Sequence, residues 1–316
     1  MPEIQPPNDL GFGSRLAEES KTRLLNRDGT FNVVRAGLSR MQSLGPYHYL
    51  LTIAWGRFYL LAALSYFVTN LIFAAGYYLC GKDSLHGSVA TTPFGRYLDA
   101  FFFSVQTLAT IGYGRLTPNG TPANVLVSIE ALSGLLGFAI ITGILFSRFS
   151  RPTMRIVFSQ NAVIAPYQGI TAFEFRIANQ RNTQLVEVEA TVVLNLRDAA
   201  TGKRKFTELK LERKSVMFFP LQWVIVHPID DASPMRGLTS QTLADGDAEF
   251  FVLLSAIDET FSQTVHTRSS YRFDEVVWDA KFSDMFQKLE GGRVAIDLRN
   301  IHRIEKVGEP YLQSGD

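Results

Sequence analysis

Thr110-Ile111-Gly112-Tyr113-Gly114 lies between two long apolar segments and directly follows the short apolar stretch Leu98 to Ala109. A dehydrated K⁺ ion must exchange its water shell for oxygen ligands on every side. Rings of backbone carbonyls supply them where the chain turns successive C=O groups toward one axis, and the potassium-channel filter is the established instance of this rule. Gly112 and Gly114 have no Cβ and can take the left-handed angles such a loop needs. Ile111 and Tyr113 are expected to point away from the axis and wedge the loop, with the Thr110 hydroxyl at the inner mouth. The alternative is a chance Gly-Tyr-Gly turn, but its place between two apolar segments is what a pore loop requires.

Working outward, Phe58 to Leu79 carries no Asp, Glu, Lys or Arg and is long enough to cross a bilayer. Leu98 to Ala109 would measure only about 18 Å as a helix, so it reads as a re-entrant helix. Such a segment is tolerated at membrane depth only where protein or a water-filled cavity surrounds it, and its C-terminal end favours a cation. Thr117-Pro118-Asn119-Gly120 is a turn, after which Thr121 is expected to cap a helix with Pro122 in its first turn. That helix runs to about Phe149 and is apolar except for Glu130. An intramembrane carboxylate is costly; Glu130 is expected to sit behind the filter and hydrogen-bond it, the alternative being that it raises the local cation concentration. Residues 43–57 mix aromatic, apolar and polar groups, which suits a helix in the membrane interface with Tyr47, Tyr49 and Trp55 at headgroup level; otherwise they simply begin the first span. Arg35, Arg40 and Arg57 precede the first span, and Arg148, Arg151 and Arg155 follow the second, with Pro152 as the break. The positive-inside rule then places both termini in the cytoplasm. Lys82, Arg96 and Arg115 on the outer side weaken that signal without reversing it.

The 316 residues carry a net charge of +1 and no long basic run, which gives no support for nucleic-acid binding. Cys80 is the only cysteine, so an intrachain disulfide and a cysteine metal cluster are excluded. The five histidines lack metal-ligand spacing and read as structural, with His227 and His302 the candidates for sensing pH. No nucleophile-elbow, Walker or dinucleotide pattern occurs, and no Arg-rich helix of the voltage-sensor kind. Residues 1–20 are Pro- and Gly-bearing and expected to be disordered; no cleaved leader is expected. Asn26-Arg27-Asp28-Gly29 is a turn signal before a short strand at Phe31 to Val34. From Met154 the period changes to two. Phe173, Phe175 and Ile177 alternate with Glu174 and Arg176, and Val186, Val188 and Ala190 with Glu187 and Glu189. Further strands are expected near 205–211, 217–226, 249–256 and 276–282, making a β-sandwich.

These stretches together resemble one family. NRDGTFNV (26–33), AFFFSVQTLATIGYG (100–114), RFSRPTMR (148–155), HPIDDASP (227–234) and ETFSQTVHTRSSY (259–271) look like those of inward-rectifier potassium channels of the prokaryotic KirBac type, over about residues 25–300. The resemblance implies a multi-domain membrane protein: a two-transmembrane-helix potassium-channel pore domain and a cytoplasmic immunoglobulin-like β-sandwich. Residues 1–42 would be a cytoplasmic N-terminal segment, 43–57 a slide helix, 58–150 the pore domain and 151–316 the sandwich. It implies a homotetramer in a bacterial inner membrane, since one chain has too few spans to enclose a pore. K⁺ would be the permeant ion, with no cofactor.

Residue by residue, Phe146 matches the bulky residue narrowing the inner-helix bundle crossing; a lipid-facing ring is the plainer reading. Gly134 matches the inner-helix hinge, with Gly137 and Gly143 beside it, though small residues also serve close packing. Phe138 matches a cavity position, grouped here with the gate, where strong rectifiers carry an acid. An apolar ring does not attract polyamines or Mg²⁺, so weak rectification is implied unless the cytoplasmic pore compensates. Glu187 matches an acid of that pore, and residues 259–265 its aperture loop. Arg148, Arg151 and Arg155, with Arg57, would contact anionic or phosphoinositide headgroups. Gln106 replaces a Glu that braces the filter in many relatives, and Ser255 replaces an acid of strong rectifiers.

Overall fold

The computed structural model describes residues 23–32, 45–150, 154–181, 184–198, 201–219, 221–288 and 294–307. The chain divides into a helical unit, Ala36–Arg151, and a β-rich unit that combines Met1–Arg35 with Pro152–Asp316. The expectations for residues 1–20, for Val33 and Val34, and for Arg151 fall outside the described residues.

In the helical unit, α1 (Pro46–Thr52) ends where Ile53 and Ala54 turn extended, and α2 (Trp55–Leu79) starts directly after. The stretch 43–57 is therefore no single helix: its last residues open the first span, three residues earlier than Phe58. The re-entrant helix α3 (Pro93–Leu108) also begins earlier than expected. The Thr92 side chain accepts the Gly95 N–H at 3.1 Å and Pro93 stands in the first turn, where its missing N–H costs nothing. Its 16 residues give about 24 Å, still shorter than a bilayer core of about 30 Å. Helix α4 spans Thr121–Phe149, but Gly120, at φ +82°, is its N-cap and no side chain caps it. Thr121 lies inside the first turn instead. A short ladder of β1 (Leu85–His86) with β2 (Thr117–Pro118) joins the loops on either side of α3. Ala74 and Tyr77 of α2, Ala100 and Phe103 of α3 and Ala123 of α4 share one core with Leu85 and Leu116.

The β-rich unit runs β3 (Ile156–Phe158), β4 (Ala162–Tyr167), β5 (Ile170–Asn179), β6 (Leu185–Arg197), β7 (Arg204–Glu208), β8 (Ser215–Phe219), β9 (Gln222–Ile229), α5 (Ser240–Asp245), β10 (Glu249–Asp258), β11 (Gln263–Arg272) and β12 (Val276–Trp278), then short strands to Lys306. One sheet is ordered β11-β10-β6-β7 with β8 also on β6; the other is β12-β4-β5-β3 with β9 on β5. Their inner faces meet through Phe173 stacked on Phe250 at 4.3 Å and Phe175 against Tyr271 at 5.2 Å. This is the expected sandwich, with differences of detail. The expected strand 205–211 ends at Glu208, and 276–282 is two short strands in different sheets, β12 and Ala280–Phe282, which pairs with Ile304–Lys306. The stretch 217–226 is two strands, β8 and β9, in different sheets; Pro220 falls between them and cannot donate to a ladder. On β6, Leu185, Val188 and Ala190 enter the core while Val186 does not. Glu187 takes φ +51° opposite a register shift between Ser255 and Ile257, and this bulge re-phases the alternation.

The segment Arg23–Asn32 docks on the sandwich. Leu24 and Leu25 are buried with Val193, Phe206 and Phe251, and the Glu249 carboxylate accepts their N–H groups at 3.0 and 3.1 Å. Burial pushes the Glu249 carboxyl up, partly offset by those N–H groups. Arg23 and Arg27 both reach Glu275, at 2.9 and 2.8 Å.

His227 is buried, with Nδ1 donating to the Lys210 carbonyl at 2.6 Å and Nε2 accepting from Ser233 Oγ at 2.8 Å. Ser233 Oγ in turn accepts the Met235 N–H, so the neutral imidazole satisfies every group. Burial lowers the His227 pKa below 6.5. The unfolded chain therefore takes up this proton first, and stability falls as pH drops from the unfolded value through the lowered folded one. The full chain in detergent should melt lower at pH 5.5 than at 7.5, and this difference should shrink in His227→Gln. An equal difference in both proteins would dissociate His227 from the acid sensitivity.

Candidate functional site

The loop 110–114 begins as the end of a helix. Thr110 N–H donates to the Thr107 carbonyl at 3.0 Å and Ile111 N–H to Gln106 at 2.7 Å. These are the paired bonds of a Schellman termination, in which the residue after the cap takes the left-handed conformation and is usually glycine. Here it is Thr110, at φ +55°, a strained choice for a β-branched residue. Gly112 and Gly114 follow at +57° and +78°, while Ile111 and Tyr113 do not share the positive sign. Alternating hands turn successive peptide carbonyls to one side instead of to opposite sides as in a strand. None of the described backbone hydrogen bonds ends on the carbonyls of Thr110, Ile111, Gly112 or Tyr113. Gln106 supports the loop with its main-chain oxygen.

Behind the loop lies a polar network inside the helical unit. Glu130 is fully buried; Tyr77 Oη donates to its Oε2 at 2.6 Å, and Ser104 Oγ bonds its Oε1. Ser104 Oγ also meets Asn70 Oδ1 at 3.0 Å, and Asn70 Nδ2 donates to the Tyr66 carbonyl at 2.8 Å. The three helices α2, α3 and α4 are thus tied through one carboxyl, which meets α3 at Ser104, one turn before its C-terminal end. The expected hydrogen bond from Glu130 to the loop 110–114 is not among the described ones; Glu130 bonds Ser104 on α3, the helix that leads into the loop, and Tyr77 on α2. At Gly134 the α4 backbone lies close against α3: an added Cβ would lie 2.6 Å from the Leu108 carbonyl oxygen. Gly143 and Gly137 have open space at that position, so within the subunit Gly134 alone of the three is required by packing.

Phe138 and Phe146 are 76% and 71% exposed; neither ring packs within the chain. Arg148, two residues beyond Phe146, is half-buried. It donates through Nη2 to Ile53 at 2.7 Å and through Nη1 to Leu50, at the C-terminal end of α1, and its guanidinium lies 4.3 Å from the Trp55 ring. A cation at a helix C-terminus is favourable, and here it fastens α1 to the end of α4. Arg57 and Arg155 are exposed. Glu187 is exposed on the bulge of β6. Residues 259–262 form a tight turn, but 263–265 already belong to β11, so the expected loop is shorter.

Two family models match the chain. Inward rectifier potassium channel C-terminal domain covers residues 156–315, and Ion channel covers residues 65–151. Inward rectifier potassium channel Kirbac3.1 of Paramagnetospirillum magnetotacticum is 41% identical over 288 residues, 90% of this chain and 96% of its own. The chain belongs to the inward rectifier potassium channels, of the prokaryotic KirBac type. A human relative, G protein-activated inward rectifier potassium channel 3, is 29% identical over 92% of this chain and 79% of its own. A solved DNA glycosylase, AlkC of Pseudomonas fluorescens, overlays over 58% of this chain and 50% of its own at a TM-score of 0.20 and 12% identity, too weak a likeness to argue from. This inward rectifier is accordingly a membrane protein and no enzyme, and α2 and α4 are its two apolar spans.

Sequence reasoning about this KirBac-type chain did not find Tyr77, Ser104 or Asn70. The available signal was polar or hydroxylic side chains in otherwise apolar helices, each buried. Gly134→Ala should force α4 away from Leu108, and overpacking of about 1–3 kcal/mol should appear as a lower melting temperature of the detergent-solubilised protein. Gly137→Ala should melt like the parent. Equal melting of both variants would show that the close approach is not needed.

Proposed function

We propose that four copies of this chain form a K⁺-selective pore in a bacterial inner membrane, with both termini in the cytoplasm. The observation that carries the reading is the run of alternating left-handed residues at Thr110, Gly112 and Gly114, whose carbonyls have no backbone donor among the described residues. K⁺ is the permeant ion that these oxygens would hold, and no cofactor is required.

In this reading the four α4 helices converge near Phe146, where apolar rings gate by dewetting. Gly134 and Gly143 are the positions proposed to allow α4 to bend, Gly134 only if its contact with Leu108 is given up. Phe138 lines the cavity and offers polyamines or Mg²⁺ no charge, so rectification is weak; Glu187, in the cytoplasmic pore, is the residue able to attract them. Anionic or phosphoinositide headgroups bind the exposed Arg57 and Arg155, each attracting them by about 1 kcal/mol. Arg148 already spends two of its nitrogens on α1 carbonyls, so it acts mainly as a fastening between α1 and the gate. Glu130 and the Gln106 main chain support the filter from behind.

Liposomes loaded with KCl should take up ⁸⁶Rb⁺ and exclude ²²Na⁺, while NaCl-loaded liposomes should not accumulate Rb⁺. Equal uptake of the two tracers would reject selectivity. Phosphoinositide in the vesicles should change the Rb⁺ flux of the parent and change it less in Arg57→Ala and Arg155→Ala; the same lipid response in all three proteins would remove these residues from the lipid site.

A further inference from the structure

The stretch leaving the filter is fastened at its outer end by a single carboxylate. Asp99 lies in the middle of α3, and its Oδ1 accepts from Arg115 Nη2 at 3.0 Å. Arg115 is the residue that directly follows Gly114. The other oxygen, Oδ2, accepts from Ser88 Oγ at 2.8 Å. Ser88 follows Gly87, which takes φ +90° and stands so close that an added Cβ would be 2.2 Å from the Arg115 carbonyl oxygen. Three chain segments therefore converge on Asp99: the re-entrant helix, the loop before it and the exit of the filter. Beyond Arg115 the same loop continues the grip. Leu116 is buried, β1 pairs with β2, and Asn119 N–H donates to the Ser84 carbonyl at 2.8 Å.

A half-exposed ion pair by itself contributes little. Here the side chains of Asp99 and Arg115 are 17% and 58% exposed, yet both carboxylate oxygens are engaged and the Arg115 main chain is wedged by Gly87. Lys82 and Arg96 line a cavity beside Asp99, but neither pairs with it. The one cation that Asp99 holds is the one adjoining the filter.

We infer that Asp99 is a positioning residue for ion selection: with Ser88 and Arg115 it holds the outer half of the filter against α3, a task for which the neutral Gln106 side chain supplies no charge. The inference rests on the proposed K⁺-selective reading. Loss of the brace frees Gly114 and the carbonyls below it to relax, so the ion cage loosens while the fold remains.

The test is the ⁸⁶Rb⁺ to ²²Na⁺ uptake ratio in liposomes for Asp99→Asn, Arg115→Gln and the double variant. Each single change should lower the ratio by about tenfold, the scale set by losing one charge-assisted hydrogen bond, and the double variant should fall no further. Asp99→Glu, which keeps the charge, should recover part of the loss. A parental ratio in either single variant, or losses that multiply in the double, would overturn the inference. Ser88→Ala keeps both charges; should Asp99→Asn not assemble, the Ser88→Ala and Arg115→Gln pair is read by the same criteria. Amide hydrogen exchange at Arg115 to Thr117 separates this inference from the selectivity reading. It should quicken in Asp99→Asn whether or not the parent selects Rb⁺, and unchanged exchange would sink the brace alone.

Discussion

A helix that ends inside a membrane leaves its last carbonyls without partners, and no water is at hand to take them. In this protein the loop 110–114 supplies partners for two of them. Thr110 and Ile111 turn their N–H groups back onto Thr107 and Gln106. Among the described backbone hydrogen bonds none ends on the carbonyls of Thr110 to Tyr113. The left-handed angle at Thr110 follows from the geometry of the termination. Loop and helix end are thus one structure, and the loop cannot be displaced without unwinding the last turn of α3.

That makes the placement of α3 the next requirement, and it is met from several sides by different physics. From below, Gly134 lets the α4 backbone press against Leu108 at a distance no side chain tolerates. From behind, the Glu130 carboxyl gathers Tyr77 and Ser104, and the aromatic edge of Phe103 packs on Tyr77 at 5.1 Å. A carboxyl in an apolar setting is expensive to bury, and the compensation is that each of its oxygens has a hydroxyl partner. Apolar packing alone resists sliding of one helix along another only weakly, because neighbouring positions offer similar contacts. A hydrogen-bonded carboxyl admits one register.

The parts of this arrangement legible in the sequence were those with a strong local rule. Charge-free length marked α2 and α4, the Gly spacing marked the loop, and two-residue alternation marked β5 and most of β6. Element edges were less legible. The start of α3 was missed because Gly95 and Arg96 make residues 93–97 look like a polar loop, although Thr92-Pro93 is a sound start signal. Val186 was placed in the core because alternation was extended through Glu187, and a bulge by a non-glycine residue leaves no mark in the pattern. The split at Pro220 was signalled, but two strands in different sheets and one bent strand share the same composition. Side-chain partnerships between distant segments, such as Glu249 with Leu24 and Leu25, carry no local signature at all.

Arg148 shows why the chemistry of a residue type does not settle its role. A basic cluster after a span attracts lipid phosphate in general, and from sequence Arg148 is indistinguishable from its neighbours. Its position in the last turn of α4 instead brings it to the C-terminal end of α1, where two carbonyls and the Trp55 ring receive the guanidinium. A phosphate that bound Arg148 would first have to draw it off those carbonyls, leaving the C-terminus of α1 without its cation. Lipid binding at this residue and fastening of α1 to α4 are therefore alternatives, and Arg148 cannot exchange one for the other without disturbing the C-terminal end of α4.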